Sequence, residues 1–284
     1  MTGTHDSWLD RGSTSGAILV GLTNGPATRR VFDDIPDGFD FVEVSYEQLQ
    51  ASPDLLDLFP GVPVILHCAS LSLAGTVPPD AKTVAAIAGW VERTRTPWLG
   101  EHLAFITAPS LGDGDICVDV GFTVGPQLGD AALEAVTTAV TQARERLKVP
   151  VLVENPPVYF SLPGSTMTQI EFLCALDGRV SDGLLLDLAH LVITAGNTGA
   201  DPEALLEQLP LERVREVHLS GVRRQNGILW DDHARLPPDI EYELLARLLR
   251  RARPTAVTFE LNWPASIRSG QVGAHLARLR EVTA

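Results

Sequence analysis

Two hydrophobic rhythms alternate along this chain. Short apolar runs, such as those at 17–22, 39–44 and 62–67, are separated by longer stretches whose apolar residues recur at helical spacing. A strand buried on both faces reads as an unbroken apolar run, so the short runs predict strands of a covered, parallel sheet. The stretch 80–93 predicts a helix with Val84, Ile87, Ala88 and Val91 on one face. A second helix carries Leu133, Val136, Val140, Ala143 and Leu147, with Asp130 placed to cap it. Thr168 and Glu171 have the spacing of a capping box. Asp201-Pro202 sets a capping residue before a proline suited to the first helical position. Pro237-Pro238-Asp239 opens a last long helix with Arg247, Arg250 and Arg251 near its negative end. Strand and helix alternate throughout, and 284 residues is the scale of one α/β barrel, roughly 250 residues. The expectation is a single (β/α)8 TIM barrel over residues 16–284, preceded by a polar, loosely packed tail at 1–15.

The same runs carry the chemistry. Six of them stop at a side chain able to hold a metal: Val64-Ile65-Leu66-His67, Trp98-Leu99-Gly100-Glu101-His102, Val151-Leu152-Val153-Glu154, Leu184-Leu185-Leu186-Asp187, Val214-Arg215-Glu216-Val217-His218 and Val257-Thr258-Phe259-Glu260. In a parallel barrel all strand ends open on one face, where active sites lie. His190 follows Asp187 by three, and Asp231 and His233 lie in the loop beyond His218. Taken singly, each residue has an ordinary role. A histidine after a strand is usually hydrogen-bonded within the core, Asp187 would cap the next helix, and Glu260 would pair with an arginine. Independent roles do not place all nine at one end of one barrel, so the joint pattern predicts metal binding. Nine donors exceed the four to six that one ion takes, which implies two or three ions sharing a carboxylate. Nitrogen and oxygen donors without thiolate suit iron, manganese or zinc.

Composition narrows the function. A net charge of −14 disfavours a protein built to grip nucleic-acid backbones. No apolar run approaches the ~20 residues that cross a membrane, and residues 1–15 contain no apolar signal segment. The three cysteines, Cys68, Cys117 and Cys174, are widely spaced, which points to a reducing, cytoplasmic setting. Cys68 follows His67 directly, so strand alternation turns it away from the site. Gly112-Asp113-Gly114-Asp115 lacks the rest of a calcium loop and is expected to be a solvated turn. No glycine-rich phosphate loop and no Gly-x-Ser-x-Gly elbow is present.

The strand-end residues and their neighbours resemble the multinuclear non-heme iron-dependent oxidative enzymes, a family of barrels that includes the methanobactin biosynthesis oxidase. The resemblance spans about 17–263. It is carried by His67-Cys68-Ala69-Ser70-Leu71-Ser72-Leu73, Glu101-His102-Leu103-Ala104-Phe105, Val153-Glu154-Asn155, Leu184-Leu185-Leu186-Asp187, Ala195-Gly196-Asn197-Thr198-Gly199-Ala200-Asp201-Pro202, Val217-His218-Leu219-Ser220-Gly221, Asp231-Asp232-His233 and Phe259-Glu260. It implies that His67, His102 and Glu154 hold one iron. Glu154 would bridge to a second, completed by Asp187, His218 and Glu260, while His190, Asp231 and His233 hold a third ion. Glu154, His218 and Glu260 would then face the reaction, at a mixed Fe(II)/Fe(III) centre with O2 as co-substrate. The implied substrate is a cysteine, or another side chain, of a ribosomally synthesised precursor peptide, delivered by a separate recruiting protein. Glu43, Glu101 and Asn155 are candidates to orient the ligands, and Asn155, Asn197, Arg223 and Arg224 are candidates to contact substrate. Three positions depart from the family pattern: Ala189-His190 stands where Asn-Asn is common, Val222 where a histidine often follows, and Asn262 where an aspartate does.

Other classes fit parts of the pattern. The ligand order His, His, Glu, Asp-x-x-His, His, Asp-x-His, Glu is also that of the endonuclease IV group, three-zinc barrels that hydrolyse phosphodiesters. Against that reading stand the acidic charge and the lack of a basic stripe beyond Arg223-Arg224 and the cluster at 247–253. A xylose-isomerase-like sugar isomerase or epimerase would want a catalytic lysine or paired glutamate near the metal. A non-catalytic metal-binding module is disfavoured because so open-ended a donor set keeps positions free for substrate.

Overall fold

The computed structural model describes residues 17–26, 28–110, 117–180, 182–262 and 267–284. The expected tail at 1–15 and the turn at 112–115 lie outside the described residues. Among the described residues, eight parallel strands close into a barrel. They are β1 (Leu19–Thr23), β2 (Phe41–Ser45), β3 (Val64–Cys68), β4 (Leu99–His102), β7 (Val151–Glu154), β8 (Leu184–Asp187), β9 (Val214–Leu219) and β12 (Ala256–Phe259). β12 pairs back onto β1 with Leu19 opposite Ala256, which leaves no sheet edge. This is the TIM barrel that the alternating pattern predicts.

Helices α1 (Thr28–Asp34), α2 (Tyr46–Ala51), α3 (Ala81–Thr94), α4 (Asp130–Leu147), α5 (Gln169–Asp177), α6 (Leu188–Thr198), α7 (Pro202–Gln208), α8 (Asp239–Leu249) and α9 (Ser269–Thr283) accompany the strands. α3 buries Val84, Ile87 and Val91. The capping box at Thr168 and Glu171 forms, and Asp201 caps α7 ahead of its proline. Asp130 differs from expectation. It is the first residue of α4 rather than its cap, and Gly129 precedes it without a side-chain bond. An acidic side chain there still favours the positive end of the helix.

Side-chain alternation splits the core in two. A small cluster of Phe41, Ile65, Trp98, Leu152, Leu185 and Ala256 plugs the barrel interior, while the larger cluster, with Cys68 among it, packs strands against helices. Two residues on from each plug residue, the same face of the strand carries Glu43, His67, Gly100, Glu154, Asp187 and Thr258. The apolar floor therefore determines which polar side chains look into the mouth.

Two hairpins lie outside the repeating unit. β5 (Phe105–Pro109) and β6 (Cys117–Val124) pair antiparallel after β4. β10 (Val222–Gln225) and β11 (Ile228–Asp231) pair after β9. The second hairpin turns at Asn226-Gly227, both at positive φ, as a two-residue turn between twisted strands requires. β6 is largely exposed, and β5, β10 and β11 are mostly half-buried or exposed, so the hairpins produce no unbroken buried apolar run to be seen in the sequence.

Gly21 makes room for the plug: a Cβ there would meet Phe41 Cζ at 2.1 Å. Gly21→Ala should therefore destabilise the barrel by about 1–3 kcal/mol through overpacking, read as a lower midpoint of urea unfolding. Adding Phe41→Leu should recover part of that loss, and an additive double variant would show that the two residues do not compete for one space.

Candidate metal centre

The six strand-end residues and His190, Asp231 and His233 converge at the mouth. Among the described residues, donor atoms of His67, His102 and Glu154 lie within 4.8 Å of one another, as do those of Glu154, Asp187, His218 and Glu260, and those of His190, Asp231 and His233. Glu154 belongs to two of these groups and sits between three imidazoles. Its Oε2 is 2.8 Å from His67 Nε2 and 3.5 Å from His102 Nε2, and its Oε1 is 3.1 Å from His190 Nδ1. Glu260 links the others, with Oε2 at 3.1 Å from His218 Nδ1 and Oε1 at 3.7 Å from His233 Nε2. Asp231 Oδ2 lies 3.1 Å from His190 Nε2 and 3.0 Å from His233 Nε2.

Local structure holds each donor in place. Gly100 leaves space for His67, because a Cβ there would meet the ring at 2.8 Å. Asp187 is the last residue of β8 and also caps α6, accepting His190 N at 2.6 Å. That cap sets His190 one turn beyond it. His190 Nδ1 donates to the Asn155 carbonyl at 2.8 Å, which orients the ring with Nε2 toward Asp231 Oδ2 at 3.1 Å; against its burial, Asp187 and Asp231 hold the imidazole well above its usual pKa. His233 sits at φ 46°, a left-handed backbone that few side chains adopt. Its Nδ1 meets Ser220 Oγ at 3.2 Å and its carbonyl accepts Asn262 N at 2.5 Å. Strain of this kind persists where the surroundings over-determine it.

The electrostatics are those of alternating charges in a dry space. Burial works against a charged His67, yet Glu154 and Glu43 outweigh it and hold its pKa up to about 10. Burial opposes the charged His233 as well, and Glu260 and Asp231 hold it up to about 9. Glu154 is held well below the usual carboxylate range because His102, His190 and His67 overcome its burial. Burial dominates at two positions, pushing Asp187 up to about 7 and His102 down. In the metal-free protein, protons supply the positive charge that these carboxylates need.

The site fits metal cations on a separate ground. Three buried carboxylate oxygens here, Glu154 Oε1, Asp187 Oδ2 and Asp231 Oδ1, have no hydrogen-bond donor, and neither ring proton nor lone pair of His102 Nδ1 is matched. The nearest nitrogen to Glu154 Oε1 has already given its proton to Asn155. Buried acceptors left in this state cost about 1–3 kcal/mol each unless something positive completes them. A fourth donor group, Glu43, Glu216 and His218, is different. Both Glu216 oxygens accept neutral donors, Trp98 Nε1 at 2.6 Å and Thr258 Oγ1 at 2.5 Å. The orphaned atoms thus mark the three upper groups.

A cavity of about 250 Å³ opens beside the cluster, walled by Asn24, Ser45, Gln48, His67, His233 and Glu260 among others. The four residues considered for substrate contact lie elsewhere. Asn155 is buried and clamps the Asp187 main chain at both N and O. Asn197 does the same for Leu229, tying the β10–β11 hairpin to α6. Arg223 Nε lies 3.1 Å from Asp232, and Arg224 donates to the Gly227 carbonyl across the turn. Glu101 faces the barrel wall, where it accepts Leu71 N and His102 N. Glu43 faces inward, 3.1 Å from His218 Nε2. Sequence reasoning passed over Glu216, whose alternation with His218 was the available signal.

A family model described as "RiPP precursor modification enzyme MbnB/TglH/ChrH" matches residues 20–279. The chain belongs to this family. It is the multinuclear iron family that the strand-end motifs resemble, RiPP standing for a ribosomally made, post-translationally modified peptide. A UPF0276 protein of Streptomyces avermitilis is 31% identical over 283 residues, covering 98% of this chain. The chain spans 57% of that relative's length. Among solved structures, the MbnB/TglH/ChrH-type barrel is similar to 3-keto-D-glucoside 4-epimerase from E. coli, with TM-score 0.57, 13% identity and coverage of 93% and 99% of the two chains. It is also similar to endonuclease IV from Thermus thermophilus, with TM-score 0.51, 18% identity and coverage of 93% and 97%. At such identities the likeness shows the barrel fold alone. No helix among the described residues is long and apolar enough to cross a membrane.

The raised histidines give a signed prediction. His67 and His233 are protonated at pH 7, so a cation taking their nitrogens must displace the protons, and binding strengthens as pH rises toward 9. Saturating the metal-free protein with Zn2+ at pH 7 in weak buffer should release about four protons per chain, one each from His67, His190, His218 and His233, all held above the usual imidazole value by neighbouring carboxylates. Affinity measured against a competing chelator should fall steeply from pH 8 to 6; a flat profile would contradict proton displacement.

Proposed function

We propose that this chain is a multinuclear non-heme iron, O2-dependent oxidase that modifies a cysteine, or another side chain, of a ribosomally synthesised precursor peptide. The observation carrying this is the convergence of nine donors in three groups, linked through Glu154 and open to a polar cavity. His67, His102 and Glu154 would hold one iron. Glu154, Asp187, His218 and Glu260 would hold a second, and His190, Asp231 and His233 a third ion. Bound as a mixed Fe(II)/Fe(III) pair, iron supplies the affinity for thiolate and the electrons for O2 that no side chain provides. Glu154, His218 and Glu260 make up the face that meets the reacting group. The chain's own part is geometric: Asn155 locks Asp187 and His190, Gly100 admits His67, and the plug below excludes water.

The cavity wall of Asn24, Ser45 and Gln48 is neutral and polar, suited to a small side chain and its flanking peptide groups. Arg223 and Arg224, on the hairpin that leads into Asp231, would meet a carboxylate of the peptide in exchange for their present partners, Asp232 and the Gly227 carbonyl. A separate protein would recruit the precursor, and the reaction belongs in the reducing cytoplasm.

A second reading is a zinc phosphodiesterase of the endonuclease IV type, favoured by the shared ligand order and barrel. The arginines argue against it. Arg247 is engaged by Glu203 and Glu207, and Arg223 lies against Asp232, so the two basic groupings seen in the sequence are partly neutralised, and the net charge of −14 further disfavours a DNA backbone.

Protein purified without oxygen should contain two or three irons per chain, and zinc alone would favour the hydrolase. Glu154→Ala should lose iron from two of the sites, whereas unchanged metal content would contradict the shared carboxylate. Abasic-site DNA should remain uncut; efficient cleavage would promote the second reading.

A further inference from the structure

Beside and beneath the three donor groups, the barrel interior holds two carboxylates that the proposed ligand sets do not use. Glu43 projects from β2 and Glu216 from β9, and both are buried. They approach one atom: His218 Nε2 lies 3.1 Å from Glu43 Oε2 and 3.7 Å from Glu216 Oε1. The other nitrogen of the same ring, Nδ1, lies 3.1 Å from Glu260 Oε2 in the mouth. The imidazole therefore stands between a carboxylate floor and the donor cluster.

The floor is itself fixed. Glu216 Oε2 accepts Trp98 Nε1 from the turn before β4, and Oε1 accepts Thr258 Oγ1 from β12. Trp98 belongs to the apolar plug, so the packing of the barrel aims the indole N–H at Glu216. Burying a carboxylate in a barrel floor costs several kcal/mol unless it is paired and hydrogen-bonded. Nothing about the plug requires acidic residues here, since the neighbouring floor positions Leu152, Leu185 and Ile65 are apolar.

We infer that Glu43 and Glu216 are positioning residues for His218: Glu43 accepts the Nε2 proton and so fixes the tautomer with the Nδ1 lone pair toward the metal, and Glu216, pinned by Trp98 and Thr258, backs it with a second negative charge. A carboxylate behind a ligating histidine sets its ring orientation and raises its basicity, and loss of such a partner typically costs 10–100-fold in metal affinity. Two carboxylates behind one ring should also favour the more oxidised metal. This rests on the reading that His218 is an iron ligand.

The test uses the full-length chain, stripped of metal and titrated anaerobically with Fe2+ against a chromophoric chelator, with the midpoint potential of the loaded centre followed by EPR. Glu43→Ala should weaken one iron site by about 10–100-fold and leave binding at the group containing Asp231 unchanged. Glu43→Gln keeps the acceptor and the volume, so it should retain the iron count while raising the midpoint potential. Glu216→Gln should shift the potential in the same direction. If Glu43→Ala does not fold, the potential of Glu43→Gln decides. Wild-type affinity and potential in these variants, while His218→Ala loses iron, would overturn the inference alone. Undiminished iron in His218→Ala would overturn the ligand reading and this inference with it.

Discussion

Carboxylates a few ångströms apart in a dry interior repel one another, and each resists leaving water, so such a group persists only with positive charge between its members. Glu154, Asp187, Asp231 and Glu260 form such a group, interleaved with five imidazoles. The metal-free protein satisfies the constraint with protons, which is why His67 and His233 hold theirs so strongly. It does so incompletely, since three carboxylate oxygens remain without a donor. Protons satisfy directional pairs, whereas an ion satisfies every oxygen around it. The arrangement is therefore better matched to cations than to its own hydrogen-bonding state.

The barrel makes that arrangement possible by converting a period of two into a common direction. Once the plug residues point inward, the residues two places on must do so as well. Parallel closure then brings eight such positions to one end. The site consequently inherits its precision from apolar packing, with glycine supplying clearance at Gly100 and Gly21. His233 is an exception. It comes from a loop, and its position depends on a strained φ, on Ser220 and on the Asn262 main chain.

The barrel strands and the convergence of the candidate donors were legible because both express the same physics: strands covered on both faces read as apolar runs, and the polar residues that end six of those runs share one end of the barrel. The hairpins were not legible. β5–β6 and β10–β11 lie largely at the surface, where little burial constrains the pattern. Glu216 was missed for the opposite reason. In Val214-Arg215-Glu216-Val217-His218 it sits beside Arg215 and resembles one of two solvated charges, yet Arg215 is exposed and Glu216 is fully buried. Asn155 and Asn197 are candidates for substrate contact in the sequence, and the structure gives each a main-chain role as well. Each satisfies both polar groups of a buried neighbouring residue, Asp187 and Leu229, a use of an amide that sequence does not reveal.

Nine donors of this kind serve hydrolysis as readily as oxidation, so the reaction class is decided by what surrounds them. A phosphodiester brings permanent negative charge and needs free cations along its path. Here Arg223 and Arg224, on the hairpin beyond His218, lie against Asp232 and the hairpin's own carbonyl, and part of the cavity wall, Asn24, Ser45 and Gln48, is made of amide and hydroxyl groups. An anion entering would meet Glu260 and Glu43 along that wall, where the basic groups among the lining residues are the candidate ligands His67 and His233. A small neutral side chain carried by a peptide meets hydrogen-bonding groups instead, and loses its proton only on reaching a cation. These surroundings suit a small neutral side chain carried by a peptide better than a phosphodiester, which supports the proposed reading over the hydrolase.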